Sequence, residues 1–231
     1  MTKKAHTLVL VSGGLDSAVA IKHSADNSHV KLALTFDYRQ RAAKKESAAA
    51  RKMCGLLRIP HKVVRLPWLG GLGKNALTDK SLELPRPKHL TKAIARRTAE
   101  IVQVPGRNTI FVAIALAYAE ASNCNRIVAG FNSEEGTTFP DNSADYARAL
   151  DTVLRKATRG KIRLECPLIR MNKAQIVRYG RRIKAPIEYA WPCYEGGEKI
   201  CWKCESCLRF KRALEKSNSL KWYNEITGSV R

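Results

Sequence analysis

Leu8 to Val11 form a short apolar run that ends in Ser12, Gly13, Gly14, Leu15, Asp16 and Ser17, and a helix-patterned stretch from Leu15 to about Ser24 follows at once. A strand, a glycine-rich turn and a helix in that order constrain the fold more than any other feature of the chain. Glycines let the backbone turn sharply and approach an anion closely, with amide groups aimed at it. The helix N-terminus behind the turn adds partial positive charge. Ser12 and Ser17 add hydroxyl donors, and Asp16 is placed to cap the helix or to orient a magnesium ion. The spacing is neither that of a Walker loop, which needs four residues between its glycines and then Lys and Ser or Thr, nor that of a dinucleotide fingerprint.

The same alternation continues along the chain. Strand patterns at Val30 to Phe36, His61 to Leu66, Arg126 to Phe131 and Ile162 to Cys166 are separated by helix patterns at Arg41 to Leu57, Thr109 to Ser122 and a stretch running to about Thr158 that Asp141 or Ser143 could cap. A further helix pattern covers Lys173 to Arg182. This predicts an α/β fold: a Rossmann-like, doubly wound, mostly parallel sheet of five strands. Pro67 to Ala99, with its glycines and prolines, reads as a long connection with room for a short helix. We expect residues 1–184 to form the α/β domain and residues 185–231 a small lobe packed on it as part of one structural unit.

The longest apolar run, Ile110 to Ala119, covers ten residues. A membrane-spanning helix needs about 20, so the run reads as a buried helix. No apolar segment of signal-peptide length is present, which points to the cytoplasm. The 42 Lys and Arg against 20 Asp and Glu give a net charge of +22. Such an excess draws in polyanions, nucleotides and nucleic acid among them. It is spread over pairs such as Lys44–Lys45 and Arg181–Arg182 without one long run, so charge alone does not make direct nucleic-acid binding the favoured reading.

Cys193, Cys201, Cys204 and Cys207 leave seven, two and two residues between sulfurs. Two-residue gaps let a chain fold tightly around one tetrahedral ion, with Gly196 and Gly197 turning the longer gap. One zinc ion in a closed, structural four-thiolate site is the favoured occupant, with an iron–sulfur cluster as its competitor. Lys199, Lys203 and Arg209 are available to offset the thiolate charge.

Ser12 to Ser17 resembles the PP-loop of the ATP pyrophosphatases. Together with the C-terminal cysteines, it resembles the 7-cyano-7-deazaguanine synthase family of the queuosine pathway. Thr35–Tyr38 with Gln40–Arg41, Val104–Asn108, Gly130, Asn132, Phe139–Asp141, Trp191, Cys193–Tyr194 and Ser206–Cys207 with Arg209 carry the resemblance over roughly residues 7–214. It implies that ATP, with magnesium, is bound by Val11, Ser12, Gly13, Gly14, Leu15, Asp16, Ser17 and Ala18. By the same resemblance, ATP and ammonia convert the carboxylate of 7-carboxy-7-deazaguanine to a nitrile through adenylated intermediates, and the chain forms a homodimer. Asp16, Asp37, Arg107, Asn108, Asp141 and Asn132 are the candidate catalytic and substrate contacts. The chain departs from the family pattern at Arg39 and Ala42, usually Gly and His, at Ser133–Ser143, and at Trp202, usually Gly.

Three other readings compete. A divergent PP-loop enzyme that acts on another deazapurine, stops at the amide or uses another amine acceptor suits these departures. A PP-loop enzyme that modifies tRNA directly suits the charge, but Cys54, Cys124 and Cys166 have no evident activating setting. A non-enzymatic nucleic-acid-binding zinc module leaves the phosphate loop without a purpose.

Overall fold

The computed structural model describes residues 5–228. Five strands, β1 (His6–Leu10), β2 (His29–Asp37), β3 (His61–Arg65), β4 (Arg126–Val128) and β5 (Arg163–Glu165), form one sheet in the order β3-β2-β1-β4-β5. Every neighbouring pair is parallel. Successive side chains of a strand point to opposite faces. Leu8, Leu34 and Ile127 accordingly enter one core while Val9, Ala33 and Val128 enter the other. Burial on both faces explains why these strands read as apolar runs without clean alternation.

Helices α1 (Leu15–Asn27), α2 (Ala43–Leu56) and α7 (Lys173–Arg182) contribute Val19, Met53 and Ile176 to the core that holds Val9. Helices α4 (Arg107–Ala121) and α6 (Ala144–Ala157) contribute Val112 and Leu154 to the other. A short α5 (Ser133–Gly136) follows β4. The connection after β3 holds α3 (Lys92–Val102), which starts inside the expected loop and outruns it. The α3–α4 pair is bent by 57°, and no helix among the described residues is long and apolar enough to cross a membrane.

The caps correct one expectation and decide between the two alternatives of another. Gly14, not Asp16, is the N-cap of α1, and it offers no side chain. Ser143 caps α6 by accepting from the Tyr146 amide at 3.2 Å, which leaves Asp141 in the preceding 3-10 turn Pro140–Asn142. The tail adds α8 (Glu205–Lys216) and α9 (Leu220–Thr227), which the cysteine-rich composition had hidden. Ile187, Phe210, Leu214 and Tyr223 from this tail sit in the same buried cluster as Val9 and Val19. Gly196 does more than turn the chain. A Cβ there would collide with the Arg41 carbonyl oxygen, so glycine is what lets the tail lie against the start of α2.

Candidate active site

β1 pairs with β2 on one side and β4 on the other, so the chain reverses its winding direction at the β1–β4 junction. Open parallel sheets bind ligands outside the carboxyl ends of the strands at such a switch point. The loop after β1 and the loop after β4 meet there, and Ser12, Gly14, Asp16, Ala129 and Gly130 line one cavity. Gly13 takes φ +83, and a Cβ on it would strike the Glu46 carbonyl oxygen. Its own carbonyl accepts from the Trp191 amide at 2.8 Å, which ties the loop to the tail. The Ser17 hydroxyl donates to the Gly14 carbonyl at 2.9 Å.

Lys173 reaches this loop from the first position of α7. A reciprocal Asn172–Gln175 capping box fixes the helix start, and so the place from which the lysine projects. Its Nζ donates to Asp16 Oδ2 and Glu135 Oε1, both at 2.5 Å, and its side chain is only 10% exposed. Burial raises the Asp16 carboxyl to about 6, with Lys173 restraining the rise. Burial would also raise Glu135, but Lys173 overrides it and the group is held below its usual range. Asp16 Oδ1 is buried with no partner among the described residues.

The opposite wall is aromatic. Phe36 and Phe111 stack at 4.1 Å with planes 7° apart, and both line the cavity. Arg107, the first residue of α4, donates from Nη1 to the Tyr38 hydroxyl at 3.2 Å. Asn108 donates to the Asp141 carbonyl oxygen at 3.1 Å. Glu46 accepts from Gln40 Nε2 at 2.7 Å; burial raises its carboxyl to about 7 against that hydrogen bond.

The tail closes the cavity with Trp191, Cys193, Tyr194, Ser206, Arg209 and Phe210. The sulfurs of Cys193, Cys201, Cys204 and Cys207 all lie within 4.8 Å of one another, and Cys201 and Cys207 are 3.9 Å apart. Tetrahedral bonds of about 2.3 Å to a single ion place thiolates about 3.8 Å apart, so the four can hold one metal ion. Among the described residues no other group of three or more His, Cys, Asp or Glu is so arranged. Cys193, Cys204 and Cys207 are buried, and hydrogen bonds from Cys204 and Cys207 pull the Cys193 thiol far below its usual value. Arg209 pairs with Glu205, which also accepts from the Tyr194 hydroxyl at 2.9 Å. Arg209 is therefore bound to carboxylates and does not sit as a free counter-charge for the thiolates.

Of the residues singled out in the sequence, Val11, Ser12, Gly14, Leu15, Asp16, Ser17, Arg107 and Asn108 line the cavity. Gly13 shapes the turn from behind, and Ala18 is fully buried in the core. Asp37 accepts from the Arg39 amide at 3.0 Å, and neither it nor Asp141 is among the cavity-lining residues. Asn132 is fully buried and caps α5 by accepting from the Glu135 amide at 3.0 Å. Lys173, Glu135 and Glu46 were not singled out. The one sequence signal for Lys173 is the Asn172–Gln175 capping pattern around it.

The QueC family, described as "Queuosine biosynthesis protein QueC", matches residues 6–218. The 7-cyano-7-deazaguanine synthase of Desulforamulus reducens is 45% identical over 212 residues, 90% of this chain and 93% of the relative. The enzyme of the same name from Methanosarcina barkeri is 39% identical over 220 residues, 91% of this chain and 94% of the relative. Among solved structures, NMN synthetase from Francisella tularensis superposes with a TM-score of 0.51 at 14% identity, covering 100% of this chain and 89% of that one. The U34-tRNA thiolase NcsA from Methanococcus maripaludis gives 0.52 at 12% identity, covering 100% and 75%. These two likenesses concern the fold alone. With the phosphate-loop cavity and the four-cysteine cluster in place, the match along nearly the whole chain means that this protein belongs to the QueC family of queuosine biosynthesis proteins.

Proposed function

We propose that the protein is a 7-cyano-7-deazaguanine synthase, an ATP-dependent ligase that turns 7-carboxy-7-deazaguanine and ammonia into the nitrile with release of AMP and pyrophosphate. The observation that carries this reading is one cavity in which a phosphate loop faces a stacked aromatic wall and the half-buried Arg107 guanidinium. Relatives named for this activity at 39–45% identity over nine-tenths of the chain support it.

A carboxylate oxygen is a poor leaving group until it carries AMP. In the first half-reaction that oxygen attacks the α-phosphorus of ATP, and the bond to the β-phosphate breaks with its electrons leaving on pyrophosphate. Ammonia then displaces AMP and loses a proton, forming the amide. A second ATP adenylates the amide oxygen; the nitrogen gives up its protons as the carbon–oxygen bond to AMP breaks, leaving the nitrile. The turn Ser12–Ser17 grips the phosphates through its amides and the α1 N-terminus. Phe36 and Phe111 present a flat apolar wall to the heterobicycle, and Arg107 beside Tyr38 is the cation for the substrate carboxylate.

Asp16, with its unpartnered Oδ1, is the carboxylate that would hold magnesium on the nucleotide, and that ion would supply charge neutralisation. Zinc suits the four closely spaced thiols and would supply folding energy to the tail. The deciding experiment incubates the protein with ATP, ammonium and 7-carboxy-7-deazaguanine and reads products by mass spectrometry. Nitrile with AMP supports the reading. No AMP with any deazapurine overturns it.

A further inference from the structure

We propose that Arg209, on the helix that leaves the cysteine cluster, is an anion-binding residue of the cavity and holds the pyrophosphate end of the nucleotide. This rests on the reading that the cavity takes ATP. Arg209 is 5% exposed, yet it lines the same cavity as Ser12 and Asp16. Its Nε bonds Glu205, and its Nη1 lies 3.8 Å from Glu134 Oε1. Its Nη2 is buried with no partner among the described residues. A desolvated donor on a charged group is costly to leave unmatched. An acceptor with several anionic oxygens is the partner it lacks, and a planar guanidinium suits phosphate oxygens.

The neighbouring groups favour the polyphosphate as that partner. The Lys173 ammonium in the same cavity is already engaged by both Asp16 and Glu135. Glu134, 3.8 Å from Arg209 Nη1, is the neighbour in α5 of the Glu135 that Lys173 holds, so Arg209 stands on the phosphate-loop side of the cavity. Arg107, the other guanidinium lining it, bonds Tyr38 beside the aromatic wall, where the substrate carboxylate is expected. When the bond between the α-phosphorus and its bridging oxygen breaks, charge collects on the β-phosphate. A preorganised cation at that end favours the step. The cysteine cluster then has a chemical consequence: it orders the start of α8 and thereby aims Arg209.

The test is calorimetric titration of inorganic pyrophosphate, and separately of AMP and of 7-carboxy-7-deazaguanine, into the metal-loaded protein and its R209K variant. R209K keeps a cation for Glu205 but loses the second amino group. We expect the pyrophosphate dissociation constant to rise by about tenfold to a hundredfold, with AMP affinity and metal content unchanged. Unchanged pyrophosphate affinity, or an equal loss for AMP, overturns the assignment. So does a loss confined to 7-carboxy-7-deazaguanine, which would put the guanidinium on the substrate carboxylate instead. Should R209K shed its metal, the double variant E205Q/R209Q, which removes both buried charges, is titrated in its place with the same criteria. Failure of the wild-type protein to form AMP sinks the functional reading instead. Wild-type AMP formation together with undiminished pyrophosphate binding by R209K sinks this one alone.

Discussion

Lys173 Nζ lies 2.5 Å from Asp16 Oδ2 and 2.5 Å from Glu135 Oε1, so one ammonium ion holds together the phosphate loop, α5 and the start of α7. All three side chains are largely buried, at 10%, 18% and 27% exposed. Removing the cation strands two carboxylates side by side. K173M should lose about 3 kcal/mol of stability and at least about a hundredfold of AMP formation, read by thermal denaturation and by chromatography of the nucleotides. Full activity in K173M would show that the lysine serves packing alone.

The Asp16 side chain pairs with Lys173, whereas the loop meets the cysteine-bearing tail through the backbone, from the Trp191 amide to the Gly13 carbonyl. D16A should therefore abolish AMP release while metal content, measured by elemental analysis, stays as in the wild type. Loss of metal with the activity would mean that the loop and the cluster fold as one unit.

Glu46 supplies a pH signature. Its carboxyl ionises at about 7 in the folded protein because burial opposes the charge, against 4.5 when free. A raised folded value means that its contribution is fully present below pH 4.5 and is lost as pH rises through 7. E46Q should therefore be more stable than wild type at pH 8, by about 2 kcal/mol, and equal to it near pH 4. A difference that stays constant across that range would contradict the burial argument.

Metal removal should reach the active site. Trp191, Cys193, Tyr194 and Arg209 line the cavity, and the Trp191 amide holds the Gly13 carbonyl at 2.8 Å. A chelator strong enough to strip the cluster should abolish nucleotide binding, followed by calorimetry, before the parallel sheet melts. Nucleotide binding that survives complete metal loss would show the phosphate loop to be independent of the tail.

Two departures from the family pattern are backbone statements. Arg39 and Trp202 stand where glycine is usual, and both hold positive φ, +67 and +54. A side chain there costs about 1 kcal/mol. Arg39 is exposed, so R39G should raise the melting temperature by about 2 °C. Trp202 offsets its strain by packing on Phe210 and Tyr223, each with ring centres 6.2 Å away. W202G should lower stability, by about 2 kcal/mol. The opposite signs of the two substitutions are the test, read in one thermal series.

The five strands and the helices that follow them were readable because each depends on neighbours in sequence: apolar runs, a Gly-Gly turn, a serine cap at Ser143. Ser12 to Ser17 needed no tertiary information either, since strand, turn and helix are contiguous there. The four cysteines were legible from spacing for the same reason. Lys173 and Glu46 were not, because nothing near a lysine in sequence says that it meets a carboxylate 157 positions away. Asp37 and Asp141 flank the right strand and helix, but position beside an element does not say which side chains line the cavity: Asp37 accepts from the Arg39 amide, and neither residue is in the lining.

The sequence alone therefore determined the doubly wound sheet, the glycine-rich turn after β1 and the clustered thiols that can hold one metal ion, all built from short-range geometry. The tertiary structure alone decided which charges share the cavity. That outcome depends on the strand order β3-β2-β1-β4-β5 and on the tail folding back across Gly13. Electrostatic partners in a desolvated site are chosen by proximity in space, and a chain of amino acids carries that information only after it has closed on itself.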